Sequence, residues 1–115
     1  MEEQNKEKFM TIVAQPQIVA SGKIELDLDV LRNKFGNNFN TLQITNTDAA
    51  SAIFIYADGV KIAYVTANNG IFYFDWEFGL KYNFISLENT NAGAVITAES
   101  VKVFVGRSGE IINGA

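Results

Sequence analysis

The side chains of this chain that could carry chemistry are carboxylates. Asp27, Asp29, Asp75 and Glu77 are the candidates for an acid–nucleophile pair acting on a glycosidic bond. Glu25, Asp27 and Asp29 recur at every second position, and clustered oxygens suit a hard cation. The 115 residues include no histidine and no cysteine. Nucleophile–base pairs built on imidazole or thiolate, thiolate metal sites and disulfides are therefore excluded together. For the carboxylates, alternation offers a simpler account. In Lys23-Ile24-Glu25-Leu26-Asp27-Leu28-Asp29 the acids are the wet face of a strand whose Ile24, Leu26 and Leu28 enter a core. Ligands two residues apart on a strand are about 7 Å from each other, so one ion reaches two at most without help from a loop. Gly36, Gly59, Gly70, Gly79 and Gly93 stand singly and read as turn glycines, not as a phosphate loop. The expectation is a chain that is not an enzyme, with no cofactor and no metal.

Two aromatic stretches point to binding. In Ile71-Phe72-Tyr73-Phe74-Asp75-Trp76-Glu77-Phe78 the positions alternate, with Phe72, Phe74, Trp76 and Phe78 on one face. Four rings on one face are expected to build a core or a subunit contact. The alternative is a sugar-binding surface in which Trp76 and Tyr73 stack on a glycan and Asp75 accepts its hydroxyls. The second stretch is a hairpin. Asp58-Gly59 supplies the two positive-φ positions of a type I′ turn, between flanking runs 52–57 and 60–66. A regular register pairs Ala57 with Val60, Ile55 with Ile62 and Ile53 with Tyr64. The opposite face then holds Phe54, Tyr56, Lys61, Ala63 and Val65 and is also mostly apolar. Two apolar faces require a cover, either segment 9–13 of the same chain or a neighbouring subunit. Phe54, Tyr56, Ala63 and Val65 are the expected interface residues.

The elements that position these groups are short strands. Ser, Thr, Asn and Gly punctuate the chain every 8 to 12 residues, in the manner of a sandwich or barrel. The only expected helix is one turn near residues 30–34. Residues 39–49 and 82–92 align without gaps at an offset of 43, sharing an Asn-Thr turn and apolar pairs such as Leu42 with Ile85. Either a strand unit is duplicated, or two strands with common turn chemistry coincide. The expected fold is an all-β, two-layer antiparallel sandwich of about eight strands, jelly-roll-like, with an internal two-fold strand repeat. Periodicity does not separate that strand order from an immunoglobulin-like one. The expected boundaries are an N-terminal arm at 1–15, within which the apolar run Phe9-Met10-Thr11-Ile12-Val13 reads as a short strand, the sandwich at 16–106 and a C-terminal tail at 107–115.

A net charge of −4 with nine scattered Lys and Arg gives no footprint for a phosphate backbone, so no nucleic-acid partner is expected. No apolar run approaches the roughly 20 residues of a membrane helix, and no membrane partner is expected. The polar start, 1–8, does not read as a secretory leader.

The texture of the second half is strand, Asn-rich turn, small residues, strand. It runs through Gly79-Leu80-Lys81-Tyr82-Asn83-Phe84-Ile85-Ser86-Leu87-Glu88-Asn89-Thr90 and then Ala94-Val95-Ile96-Thr97-Ala98-Glu99-Ser100-Val101. It resembles the small β-sandwich structural proteins of tailed-bacteriophage virions, which decorate capsids or form spike, fibre and tail surfaces. The resemblance covers roughly residues 70–105, and 39–57 through the repeat. It implies a non-enzymatic homo-oligomer that contacts other virion proteins at the capsid or tail surface, and it carries no functional residues with it. The glycan alternative implies a secreted or cell-surface module instead.

Overall fold

The computed structural model describes residues 9–35, 39–75 and 82–107. Eight strands and one helix follow in the order β1 (Phe9–Val13), β2 (Lys23–Asp27), α1 (Leu28–Phe35), β3 (Thr41–Asn46), β4 (Ile53–Ala57), β5 (Val60–Val65), β6 (Gly70–Asp75), β7 (Phe84–Asn89) and β8 (Val101–Arg107). They form two antiparallel four-stranded sheets, β1-β8-β3-β6 and β2-β7-β4-β5. Pairs 1–8 and 3–6 lie in one sheet, and pairs 2–7 and 4–5 in the other. That nesting is a long hairpin folded over on itself, so that successive pairs land in alternate sheets. It is the strand order of a jelly roll. Advancing every strand by four places turns the first sheet into β5-β4-β7-β2, which is the second sheet read from its other edge. The internal two-fold therefore exists in the topology, and the repeated segments are its two equivalent strands, β3 and β7.

The core comes from alternate positions of these strands. Leu42, Ile44, Ile53, Ile55, Ile85, Leu87, Val101, Val103 and Val105 are all fully buried, joined by Ile18, Leu28, Phe39 and Ile96 from outside the strands. Ile18 and Ile96 form an isolated antiparallel bridge outside the named strands.

The Asn-Thr turn recurs atom for atom. Asn46 Nδ2 donates to the carbonyl of Ser51, five residues on, and its Oδ1 accepts the N–H of Asp48. Asn89 Nδ2 donates to Ala94, also five residues on, and its Oδ1 accepts the N–H of Asn91. Thr47 sends both its N–H and its hydroxyl to the carbonyl of Ser100, and Thr90 does the same to Ala52. A side chain that returns to its own backbone two residues on closes a turn without a partner strand. Both asparagines are buried, so they also tie the ends of the central strands to the loops around them.

Three expectations are corrected. Strand β2 ends at Asp27 instead of running to Asp29, because Asp27 Oδ1 accepts the N–H groups of Asp29 and Val30 and caps an eight-residue helix. Leu28 still enters the core, but from the helix. Phe9–Val13 is not part of an arm; it pairs with β8 over five residues and carries the sandwich in front of residue 16. The β4–β5 hairpin has the expected type I′ turn, with φ of 47° at Asp58 and 86° at Gly59. Its register, however, slips by one beyond Tyr56. Tyr56 pairs with Lys61, but Ile55 pairs with Ala63, so Ile62 is the extra residue of a β-bulge.

Candidate functional site

The bulge decides which side chains share the outer face of the β2-β7-β4-β5 sheet. A one-residue slip moves every later residue of the strand to the opposite face. Ala63 and Val65 therefore pair with Ile55 and Ile53 and turn inward; Val65 is buried and Ala63 packs on the core. Neither belongs to an outer interface, which corrects that half of the expected set. Phe54 and Tyr56 do face outward, half-buried, and Tyr64 and Lys61 stand opposite them. The sequence pattern hid Tyr64 because no local signal marks a bulge.

These rings carry cations. Lys61 Nζ lies 3.7 Å from the Phe54 ring centre and 5.9 Å from that of Tyr56. Lys23 Nζ, from β2, lies 3.9 Å from the Tyr56 ring centre. The Phe54 and Tyr64 rings are 5.3 Å apart and inclined at 56°. Tyr56 donates its hydroxyl hydrogen to Glu88 Oε1 of β7 at 2.7 Å. Each lysine covers an aromatic face with its charge while that charge keeps contact with water. Among the described residues, the expected cover β1 does not lie over this face, because it belongs to the other sheet. The patch is amphipathic, with aromatic anchors inside a rim of Lys23, Lys61 and Glu88.

The hydrogen bond to Glu88, then burial, then the carboxylate's negative charge hold the Tyr56 phenol above its ordinary value of 10.0. The donor is the neutral phenol, and its folded-state value is raised. Its contribution to stability is thus complete below the ordinary tyrosine range and disappears as pH rises through the higher folded value. Phenolate absorbance, taken as the difference between the native chain and Tyr56→Phe, isolates this group. Its midpoint is expected above that of a free tyrosine and is expected to fall when Glu88→Ala is introduced. A midpoint that ignores Glu88→Ala would refute the bond's role.

The other candidate residues are spread apart. Tyr73 and Asp75 lie on the outer face of β6, and Tyr73 donates to Asp75 Oδ2 at 3.1 Å. Thr41, on neighbouring β3, donates to Asp75 Oδ1 at 2.7 Å, so both carboxylate oxygens are engaged within the sheet. Tyr73 is exposed. Trp76, Glu77 and Phe78 lie outside the described residues. Of the remaining aromatic row, Phe72 is half-buried and Phe74 is exposed, their rings 6.3 Å apart. Glu25 and Asp27 project from β2, whereas Asp29 has moved to the first turn of α1 beside Arg32. The three acids therefore do not share one strand face. Among the described residues, no three carboxylates gather into a set that could hold a metal ion. Among the same residues, no helix is long and apolar enough to cross a membrane.

Neither a protein-family model, nor a curated protein, nor a solved structure matches this chain.

Proposed function

We propose that the chain is a non-enzymatic assembly protein of a tailed-phage virion, acting through protein–protein contacts at a capsid or tail surface. The observation that carries this reading is the outer face of the β2-β7-β4-β5 sheet. Phe54, Tyr56 and Tyr64 form a contiguous aromatic group bordered by Lys23, Lys61 and Glu88. Aromatic anchors inside a polar rim are the composition of protein interfaces. The jelly-roll scaffold supports the reading, since viral coat domains use it, as do lectins and cupins. Fold alone does not choose among these. A chain without histidine lacks the imidazole ligands that metal sites most often use.

The test is made on particles. Virions purified from the host that carries the gene are expected to contain the chain at a fixed ratio to their coat proteins. The Phe54→Ala, Tyr56→Ala variant is expected to fold and yet be lost from them. Absence of the native chain from particles would overturn the reading. The second reading, a carbohydrate-binding module, is favoured by exposed Tyr73 beside Asp75. It requires glycan-array binding that Tyr73→Ala abolishes without changing stability.

A further inference from the structure

The connections 14–22, 47–52, 66–69 and 90–100 gather at one end of the sandwich, and the structure describes all of them. Backbone and side-chain bonds such as Thr47 to Ser100, Thr90 to Ala52 and Asn68 to Asp48 link them to one another. Their composition sets this end apart. They contain neither Lys nor Arg, and their acids are Asp48 and Glu99. Asp48 Oδ2 is occupied by the N–H groups of Ala50 and Ser51. Lys23, at the start of β2, sends its charge along the sheet to the Tyr56 ring. The opposite end is charged. Asp27 and Asp75 close their strands there, Asp29 and Arg32 lie on α1, and Asp58 sits in the hairpin turn.

The uncharged loops are also ordered. Fully buried Gln15 accepts the N–H of Val101 on Oε1 at 2.8 Å and donates from Nε2 to the carbonyl of Thr97. Ile18 and Ile96 exchange both backbone hydrogen bonds at 2.9 Å and bury their side chains completely. On paired extended segments, successive side chains point to opposite faces. Gln17 and Thr97, and Val19 and Val95, therefore turn away from the core, and all four are exposed. Val19 is 57% exposed and Val95 43%. The bridge thus presents a neutral outer face with two valines on it.

These loops offer no cation to a phosphate, no gathered carboxylates to a hard metal ion and no aromatic ring to a sugar. Depletion of charge is instead the mark of a protein interface core. We infer that this end is where two copies of the chain associate, end to end about a two-fold axis, with Val19 and Val95 inside the contact. The net charge selects the occupant. Each copy carries −4, so two copies repel, and an uncharged end is where they meet at least cost. A two-fold contact asks a surface to be compatible with itself. Neutral loops meet that condition without any pairing of opposite charges. The size is sufficient. Strands about 4.8 Å apart, in sheets about 10 Å apart, make an end roughly 20 Å square. Two such ends bury on the order of 1,000 Å², the lower bound for a specific contact. Because the loops are ordered beforehand, association costs them little freedom. The expected product is a reversible dimer. Phe54 and Tyr56 belong to a sheet face and not to this end, so the inference goes beyond the virion reading and does not depend on it.

Light scattering over a concentration series tests this. The mass of the native chain is expected to rise from one copy to two. Val95→Glu and Val19→Glu each put like charges into the contact and are expected to weaken it at least about tenfold, with an unchanged circular dichroism spectrum. Val60→Glu, also exposed but at the other end, is expected to dimerise as the native chain does. So is the Phe54→Ala, Tyr56→Ala variant. Salt is the second readout. Physiological salt screens the repulsion between copies beyond roughly 8 Å, so added salt is expected to strengthen the dimer. A native chain that stays at one copy up to its solubility limit overturns the inference. So does a dimer that both valine variants leave intact, or one that added salt dissociates. A dimer with these properties that is absent from virions rejects the virion reading and leaves the end contact standing. A monomer found in virions does the reverse.

Discussion

Replacing Asn89 by alanine is expected to lower the unfolding free energy by about 3 kcal/mol, a large effect for a polar turn residue. Asn89 is 1% exposed. Its Nδ2 group reaches the carbonyls of Ala94 at 2.8 Å, Val19 at 3.2 Å and Ile18 at 3.3 Å, and its Oδ1 accepts from Asn91. The carbonyls of Ile18 and Val19 keep backbone partners, Ile96 and Gly22. The loss therefore falls mainly on Ala94 and on the Asn91 N–H, together with the linkage between two loops and the end of β7. Asn89→Asp is expected to be worse than Asn89→Ala. It keeps the acceptor for Asn91 but points a buried carboxylate at carbonyl oxygens, which costs desolvation and repulsion together. Asn46→Ala, the counterpart in β3, is expected to behave alike. Asn91→Ala, which removes one hydrogen bond to Gly93 at an exposed loop, should cost under about 1 kcal/mol. Urea unfolding measures all four. An Asn89→Ala midpoint no lower than that of Asn91→Ala would refute the anchoring role.

The second large effect is expected at Phe39. Phe39→Ala should cost about 3–5 kcal/mol, from lost burial plus the cavity left behind. The ring is fully buried just before β3 and belongs to the core cluster of the described residues. Its counterpart in the repeat, Tyr82, is only partly buried against that core. Tyr82→Ala is expected to cost clearly less, about 1–2 kcal/mol. The backbone carbonyl that Arg32 uses there survives the substitution. Phe39→Leu, which keeps most of the volume, should recover most of the loss. If Tyr82→Ala proves the more damaging of the two, the core runs through the second half of the repeat and not through Phe39.

Much of the architecture was legible because it is local. Alternation placed Ile24, Leu26, Leu42, Ile44, Ile85 and Leu87 on the inner side of their strands, and the structure packs all of them there. A strand's facing is set by period two alone, so no knowledge of the partner strand is needed. The Asp58-Gly59 turn was equally legible, because positive φ at two successive residues is a demand on residue type. The candidate face was only half legible. Phe54 and Tyr56 were assigned correctly to the outer side. Ala63 and Val65 were not, because a bulge is a property of two strands and leaves no mark on either. Lys23 and Glu88 joined the site from strands that are far away in sequence.

By itself, the sequence determined an all-β chain with two strand segments that align, with neither imidazole nor thiolate chemistry, and with an aromatic hairpin that needs covering. The tertiary structure decided the rest. It chose the jelly-roll order, placed Phe9–Val13 in a sheet, and buried the two asparagines of the repeated turn. It also turned the hairpin's outer face into an aromatic group under two lysines. The reason is the same each time. Alternation and turn chemistry are fixed by neighbours along the chain. Strand order, register and the partner of a buried amide are fixed only when distant segments meet and every buried polar group must find a bond.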